Sequence, residues 1–122
     1  MRLCIPSETD EGPYSIRSGH FGHAPFFTII VIDDEDQHIV GYEVAKNVDH
    51  DEYGCGGVID YALSLNIDAM VTVGMGMPPL MRFTQAGVKV YSERETPYVG
   101  DVTYMFLEGK LDLMDPSMAC EH

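Results

Sequence analysis

The most constraining feature of the sequence is a run of seven β-branched and aromatic residues, FFTIIVI, from Phe26 to Ile32. Such residues pack well on the pleated surface of a sheet, so the run predicts a buried strand. The acidic cluster at residues 33–36 ends the run and predicts a turn. Apolar residues from Ile39 to Ala45 then predict a returning antiparallel strand. Together with a short strand predicted from Arg2 to Pro6, the first half of the chain indicates a three-stranded meander.

In the second half of the chain, sequence patterns typical of helices alternate with patterns typical of strands. Apolar residues recur there at helical spacing, and proline and glycine occur at the positions that they favour at helix starts and helix ends. The predicted elements are a helix at residues 56–66, a strand at residues 69–73, a helix from Pro78 to its cap at Gly87, a strand at residues 88–91 and a helix from Thr96 to Gly109.

This order of elements favours an α/β domain with one mixed sheet and helices against its faces, because parallel neighbours need crossover connections. The predicted domain covers residues 1–113. Residues 114–122 contain Pro116 and little apolar periodicity, so they predict a flexible tail. Residues 7–18 are polar and rich in turn formers, and they predict an exposed loop.

The charge balance limits the partners that the chain can bind. Lys and Arg number 7 against 20 Asp and Glu, and the formal net charge of -13 repels the phosphate backbone of nucleic acids. The longest apolar run is far shorter than the about 20 residues that span a bilayer, and the N-terminus lacks a signal-peptide pattern. We therefore expect an acidic, cytoplasmic protein that binds neither nucleic acid nor membrane.

The cysteines Cys4, Cys55 and Cys120 are odd in number and widely spread along the chain. This distribution argues against a disulfide framework. Cys4 lies in an apolar strand pattern and is interpreted as a small buried hydrophobic residue. Cys55 and Cys120 lie in polar or glycine-rich segments and are candidate ligands.

Three stretches of the sequence resemble the dinitrogenase iron-molybdenum cofactor biosynthesis family, and the resemblance covers residues 1–111. Residues 18–33, SGHFGHAPFFTIIVID, are similar to the family's H-F-G-x-A-x-x-F signature. Residues 56–91 are similar to its helix, strand, turn, helix and strand, although Met77 interrupts the family's G-x-G-P turn. Residues 96–111 are similar to its final helix and closing G-K-L.

The resemblance implies a ribonuclease H-like fold: a five-stranded mixed sheet, with three antiparallel strands and then two parallel strands, and helices on both faces. It also implies metal-cluster binding, since the family includes nitrogenase cofactor carriers and the orange protein, which binds a molybdenum-copper cluster. We therefore expect a cluster of molybdenum with iron or copper, or else a single transition-metal ion. The expected partner is a protein that donates or accepts the cluster, and the expected oligomeric state is a monomer or a weak homodimer.

Two histidines flank Phe21 and Gly22 in the signature. Neutral imidazoles bind iron, copper, zinc and nickel, so His20 and His23 are candidate metal ligands. The alternative is a pair of exposed loop histidines without a ligand. The resemblance favours His20, which matches the signature histidine, and it implies that Phe21 and Gly22 also belong to the cofactor site.

Glycines on both sides of Cys55 predict a loop just before a helix. In such a loop the backbone can approach a ligand closely, and the amides of the helix start favour a thiolate. His50 lies five residues earlier and can reach the same metal if the loop folds back. The alternative is a flexible glycine loop with an incidental thiol.

A second amide-rich turn is predicted before the next helix, where the backbone of Gly74, Met75 and Gly76 can hold an anionic cluster. Methionine thioethers favour Cu(I), but Met75, Met77 and Met81 are more typical of packing residues. Since ligands gather where open sheets present the ends of their strands, we expect the two turns and the histidines to converge on one side of the sheet.

Cys120 and His122 form a C-x-H pair near the end of the sequence. The pair can bind metal or act as a mobile arm that delivers it, and the alternative is an uncommitted tail.

These patterns favour a carrier or scaffold for a metal cluster over an enzyme. The sequence has no P-loop, dinucleotide fingerprint or Ser/His/Asp arrangement, and it lacks four Cys and His ligands at zinc spacing. A two-metal nuclease needs carboxylates on the central strands, whereas the acidic cluster lies in a predicted turn. The alternative function is a metal-free regulatory or interaction module that works with a nucleotide-binding iron-sulfur assembly protein, as the resemblance suggests.

Overall fold

The computed structural model describes residues 1–48 and 50–114, with residues 50–55 described by their backbone alone. The strands are β1 (Arg2–Ser7), β2 (Phe26–Ile32), β3 (Ile39–Lys46), β4 (Ala69–Thr72), β5 (Lys89–Ser92) and β6 (Asp112–Leu113). The helices are α1 (His50–Ser64), α2 (Met77–Gln85) and α3 (Val99–Leu107), and a short 3-10 turn spans Gly12–Tyr14.

The strands form one mixed sheet in the order β3-β2-β1-β4-β5-β6. β2 pairs antiparallel with both β1 and β3, while β4 pairs parallel with both β1 and β5. The predicted meander, followed by two parallel strands, is therefore confirmed. β2 has the bounds that its apolar run predicts, because β-branched and aromatic side chains fit a strand that is buried on both faces.

The sheet separates two layers of buried apolar side chains. Successive side chains of a strand point to opposite faces, so β2 contributes to both layers. The layer under α1 and α2 includes Phe27, Ile29, Val58, Met70, Leu80 and Phe83. The layer under α3 includes Leu3, Ile5, Ile30, Val71, Val99 and Val102. The prediction of helices on both faces is confirmed.

The sheet has six strands, so the predicted number of five is wrong. The additional strand, β6, pairs antiparallel with β5 and places Leu113 opposite Tyr91. The N–H of Met114 then donates to the carbonyl oxygen of Val90 over 2.7 Å. Periodicity could not reveal this strand, because two residues are too few to show alternation and Leu113 is 49% exposed. Cys120 and His122 lie outside the described residues.

Residues 7–18 form only in part the exposed loop that their polar composition predicts. Ser15, Arg17 and Ser18 are buried. Arg17 forms an isolated β-bridge with Ser7, and its guanidinium pairs with the buried carboxylate of Glu93. Burial of polar groups is tolerated when they are paired in this way, and the polarity of a sequence does not reveal such pairing.

α2 begins at Met77, one residue before the predicted start, and its C-cap is Ala86, one residue before the predicted cap. Its first turn contains two prolines, its N-cap is Gly76, and Gly87 follows the helix with a φ of 87°. A residue with positive φ just past a helix end is commonly glycine, which adopts this conformation without strain.

α3 begins at Val99 rather than at the predicted Thr96. The carboxylate of Glu93 accepts the N–H groups of Glu95 and Thr96 at 3.1 and 2.9 Å, which holds these residues in a loop. Within residues 1–48 and 50–114, no helix combines the length and the apolar character that a membrane span requires.

Candidate functional site

The parallel pairing of β1, β4 and β5 brings their carboxyl ends to the same edge of the sheet, which we call the carboxyl edge. Because β2 and β3 alternate in direction, the start of β2 and the end of β3 lie at this edge as well. The carboxyl edge therefore collects residues 18–25, the connection from β3 to α1, and residues 73–76. Ligands of open α/β sheets commonly bind at such an edge.

Residues 18–25, which we call the histidine loop, lie against the ends of β1 and β4. The N–H of Ser18 donates to the carbonyl oxygen of Pro6 over 2.7 Å. A Cβ atom at Gly19 would lie 3.8 Å from Cγ2 of Val73, which places the loop in contact with the residue that follows β4. The histidine loop and the β4–α2 turn are thus neighbours at the carboxyl edge.

The two histidines of this loop lie side by side. The ring centroids of His20 and His23 are 4.9 Å apart with an interplanar angle of 47°, and both residues are exposed. The N–H of Ala24 donates to the carbonyl oxygen of His20 over 3.1 Å, which closes the turn between them. The H-x-x-H spacing therefore produces two adjacent imidazoles at the carboxyl edge, an arrangement suited to a transition metal.

A backbone hydrogen bond favours one tautomer of His20. The N–H of Gly22 donates to Nδ1 of His20 over 3.0 Å, so Nδ1 carries a lone pair and Nε2 carries the proton of the neutral ring. A histidine that binds metal through Nε2 has the opposite pattern, with the proton on Nδ1. Metal ligation by His20 through Nε2 therefore requires the hydrogen bond from Gly22 to break. While that bond is present, Nε2 carries the proton and is a hydrogen-bond donor.

Phe21 anchors the histidine loop in the core. Its side chain is 1% exposed, and its ring meets that of Phe83 edge to face with centroids 5.7 Å apart. Such a contact adds to the free energy gained by burying an aromatic side chain. The predicted role of Phe21 in cofactor binding stays a prediction.

Asn47 joins the histidine loop to the end of β3 through side-chain hydrogen bonds, a role that the sequence did not predict. Its Nδ2 donates to the carbonyl oxygens of Phe21 and Ala24 at 3.2 and 2.8 Å. Its Oδ1 accepts the N–H of Val48 over 2.8 Å. A lone asparagine after a strand indicates only a turn, so the sequence carries no signal for this long-range role.

The prediction that Cys55 lies in a loop before α1 is wrong, because α1 begins at His50 and includes Cys55. Each of the neighbouring glycines disfavours a helix by about 1 kcal/mol relative to alanine. Burial of Val58 and Ile59 in the core stabilises the helix despite these glycines. The side chains of His50 and Cys55 lie outside the described part of the chain, so their roles as ligands stay predictions.

The turn between β4 and α2 lies at the carboxyl edge as predicted, and Met75 packs partly buried against the core. Pro78 and Pro79 have no N–H, so the N-terminus of α2 offers fewer amide donors to an anion than an ordinary helix does. The N–H of Leu80 already donates to the carbonyl oxygen of Gly76 over 3.2 Å. The predicted role of Gly74, Met75 and Gly76 in cluster binding stays a prediction.

Arg82 on α2 is a further residue that sequence reasoning missed. Its Nη1 donates to the carbonyl oxygen of Gly56, beside Cys55, over 3.4 Å, and its Nη2 pairs with Asp60. The side chain is 44% exposed. Arg82 therefore joins α1 to α2 and brings one cation close to the backbone around Cys55.

Outside this edge, the described residues contain one group of three side chains that could share a metal ion: Asp33, Asp36 and His38, whose ligand atoms lie within 4.8 Å of one another. This group forms the exposed turn between β2 and β3, at the opposite edge of the sheet. His38 Nδ1 pairs with Asp36, and the N–H of Glu35 donates to Asp33 Oδ1 over 2.8 Å. These contacts are ordinary turn hydrogen bonds, so the turn is not part of the candidate site.

Several solved structures are similar to this fold. The crystal structure of PH0822 is 28% identical over 93% of this chain and 96% of that chain, with a TM-score of 0.75. The NMR structure of a NifB-type protein from Thermotoga is 29% identical, covers 92% of this chain and 91% of that chain, and has a TM-score of 0.71. The apo orange protein from Desulfovibrio gigas also has a TM-score of 0.71, at 18% identity over 93% of this chain and 92% of that chain.

No curated protein matches the chain. The model of the family described as dinitrogenase iron-molybdenum cofactor matches residues 1–109, which is most of the sequence. The chain belongs to the dinitrogenase iron-molybdenum cofactor family.

Proposed function

We propose that the protein binds a metal cluster at the carboxyl edge and carries it to, or holds it for, a partner protein. The observation behind this proposal is the pairing of His20 with His23, whose ring centroids are 4.9 Å apart. Imidazole is a suitable ligand for iron, copper and zinc, and family membership supports a cluster as the cargo. The partner is the protein that donates or accepts this cluster.

The proposed cargo contains molybdenum with iron or copper, and a single transition-metal ion is the simpler alternative. The described side chains at the carboxyl edge supply two imidazoles rather than four converging Cys and His ligands. A closed four-ligand site suits a structural metal, whereas partial ligation suits a cargo that must be released. We assign His50, Cys55, Cys120 and His122 as further candidate ligands.

The charge of the cluster restricts how the protein can hold it. The chain has a formal net charge of -13, which repels an anionic cluster at long range, so local donors have to attract it. The Nε2–H of His20 is such a donor for a sulfide or oxo group. Direct ligation by His20 becomes available when the Gly22 hydrogen bond breaks, at a net cost of about 1 kcal/mol. Exchange between these two proposed binding modes would suit loading and release.

We further propose carriage rather than catalysis, in the cytoplasm, by a monomer or weak homodimer of ribonuclease H-like fold. The location of Asp33 and Asp36 supports carriage rather than catalysis. Among the described side chains, these grouped carboxylates lie in an exposed turn at the edge opposite the histidines, whereas a two-metal hydrolase needs carboxylates at the substrate site.

Anaerobic purification without chelators tests the proposal. Bound Mo, Fe, Cu and Zn and the optical spectrum are measured for the wild type and for His20→Ala, His23→Ala and Cys55→Ala. His38→Ala is the matched control, since His38 is an exposed histidine at the opposite edge. Protein that is purified without metal is titrated with tetrathiomolybdate, alone and with Cu(I).

We expect stoichiometric metal with a charge-transfer band, weakened in His20→Ala or His23→Ala and unchanged in His38→Ala. Loss of the metal in His38→Ala alone would move the site to the acidic turn and contradict the proposal. Protein that lacks metal and also rejects the added cluster would instead favour the metal-free interaction module.

A further inference from the structure

A concave surface lies on the α3 side of the sheet, between the 3-10 turn and the start of α3. Its volume is about 430 Å³, and we call it the tyrosine cleft; it is lined by Pro13, Tyr14, Tyr98, Gly100, Asp101 and Tyr104. Tyr14, Tyr98 and Tyr104 are 82%, 48% and 59% exposed, although aromatic side chains gain free energy from burial. Three exposed rings around one cavity indicate a binding surface.

The backbone beneath the tyrosine cleft is held by contacts between its two walls. The N–H of Val99 donates to the carbonyl oxygen of Ser15 over 3.0 Å, and Ile16 forms a β-bridge with Tyr98. A Cβ atom at Gly100 would lie 3.1 Å from the carbonyl oxygen of Pro13, so glycine allows the 3-10 turn to pack closely on α3. The positions that carry the three rings are therefore fixed before a ligand binds, which lowers the entropic cost of binding.

The charge of the tyrosine cleft selects the ligand. Of the six lining residues, Asp101 is the one with a formal charge. The segment just before the 3-10 turn also contains the exposed acids Glu8, Asp10 and Glu11. Aromatic ring faces attract cations, and a carboxylate accepts the hydrogen bonds of a guanidinium. We propose that the tyrosine cleft binds an arginine side chain that a basic partner protein inserts between the three rings beside Asp101.

Arginine fits better than the other candidate occupants. A guanidinium is planar and weakly hydrated, so it stacks on rings while it donates to a carboxylate, whereas an ammonium is a compact, strongly hydrated charge. The ring faces and Asp101 repel an anionic cluster or a phosphate. A second copy of this chain carries the same net charge of -13 and is repelled as well. The tyrosine cleft thus shares no lining residue with the proposed cluster site and selects a ligand of opposite charge.

Titration of the isotope-labelled full-length protein with N-acetyl-arginine amide, followed by NMR, tests this inference. The lysine and glutamate analogues serve as comparison ligands. We expect chemical-shift changes centred on the three tyrosines for arginine, weaker binding of lysine and no binding of glutamate. Equal or tighter binding of lysine, binding of glutamate, or arginine-induced shifts confined to other surfaces would overturn the assignment.

Paired variants identify the groups responsible. Tyr104→Leu removes a ring and is expected to weaken binding about 5-fold, while Tyr104→Phe keeps the ring and binds like the wild type. Asp101→Asn should weaken binding and reduce its salt dependence. The control is Asp112→Asn, which removes another exposed carboxylate, on β6. Equal affinity of Tyr104→Leu and Tyr104→Phe would show that the ring makes no contact. The titration measures arginine binding and does not require bound metal. Its outcome therefore tests the tyrosine cleft separately from the proposed carrier function.

Discussion

The Nη2 atom of Arg17 lies 2.9 Å from Oε1 of Glu93, and the two side chains are only 6% and 8% exposed. The N–H of Arg17 also donates to the carbonyl oxygen of Pro97 over 2.8 Å. This pair therefore ties the segment after β1 to the loop after β5. The charges belong to the interior of the fold, where loss of one partner leaves the other buried and unpaired.

Replacement of Arg17 by alanine should lower the free energy of unfolding by about 3 kcal/mol, because it leaves the Glu93 carboxylate without its cation. Urea unfolding followed by circular dichroism measures the loss. Arg2→Ala is the control, since Arg2 pairs with the exposed Glu43 and should show a much smaller effect. An equal loss of unfolding free energy in Arg17→Ala and Arg2→Ala would mean that the buried ion pair stabilises the fold no more than the exposed one.

Stability should fall in acid partly through Glu93. Burial raises the pKa of this carboxyl, but the N–H donors of Thr96 and Glu95 and the charge of Arg17 outweigh burial, so the net pKa lies below its usual value of 4.5. A carboxyl with a lowered folded-state pKa stabilises the fold above its unfolded-state pKa and loses that contribution as pH falls through the folded-state value. Glu93→Gln should therefore show a shallower decrease in unfolding free energy below pH 4.5 than the wild type. Parallel curves for the two proteins would contradict this assignment.

Asn47→Ala should loosen the histidine loop. The change leaves the carbonyl oxygens of Phe21 and Ala24 without their side-chain donor, and we expect a loss of about 1–3 kcal/mol of unfolding free energy. Asn47→Asp keeps the acceptor for Val48 but not the donors, and it should be at least as destabilising. Gln85→Ala, on the exposed end of α2, serves as the control and should change stability by less than about 0.5 kcal/mol. Urea unfolding measures all three variants, and a stability of Asn47→Ala equal to that of the control would disprove this role of Asn47.

The exposed histidines His20 and His38 should carry opposite tautomers in the metal-free protein. Nδ1 of His20 accepts the Gly22 N–H, whereas Nδ1 of His38 faces the Asp36 carboxylate and has to donate. Long-range ¹H–¹⁵N spectra at alkaline pH should show a protonated Nε2 for His20 and a protonated Nδ1 for His38. The same tautomer at both positions would refute the donor role proposed for His20.

Cys4 should be inert in the native protein. Burial raises the pKa of its thiol well above the usual range, and the side chain is 0% exposed. A Cys55→Ser, Cys120→Ser double variant leaves Cys4 as the only thiol, and labelling with a thiol reagent should then require denaturant. Rapid labelling in native buffer would show that β1 opens readily.

Local patterns in the sequence were sufficient for much of the fold. The apolar run from Phe26 to Ile32 determines β2, because burial on both faces of a sheet needs no information from elsewhere in the chain. The position of Gly87 after α2 and of Gly109 after α3 follows from the conformational freedom of glycine, and both have positive φ. The order of helices and strands then leads to a mixed sheet whose carboxyl edge brings the histidine loop and the β4–α2 turn together.

Only the tertiary structure decided the features that depend on distant partners. The burial of Arg17 requires Glu93, 76 residues away, and the position of the histidine loop requires Asn47. α1 extends back to His50 through glycines that disfavour a helix, because core packing outweighs local propensity. β6 exists because β5 offers it a partner. In each case the deciding free energy comes from a contact between residues far apart in the sequence, and a local pattern carries no record of such a contact.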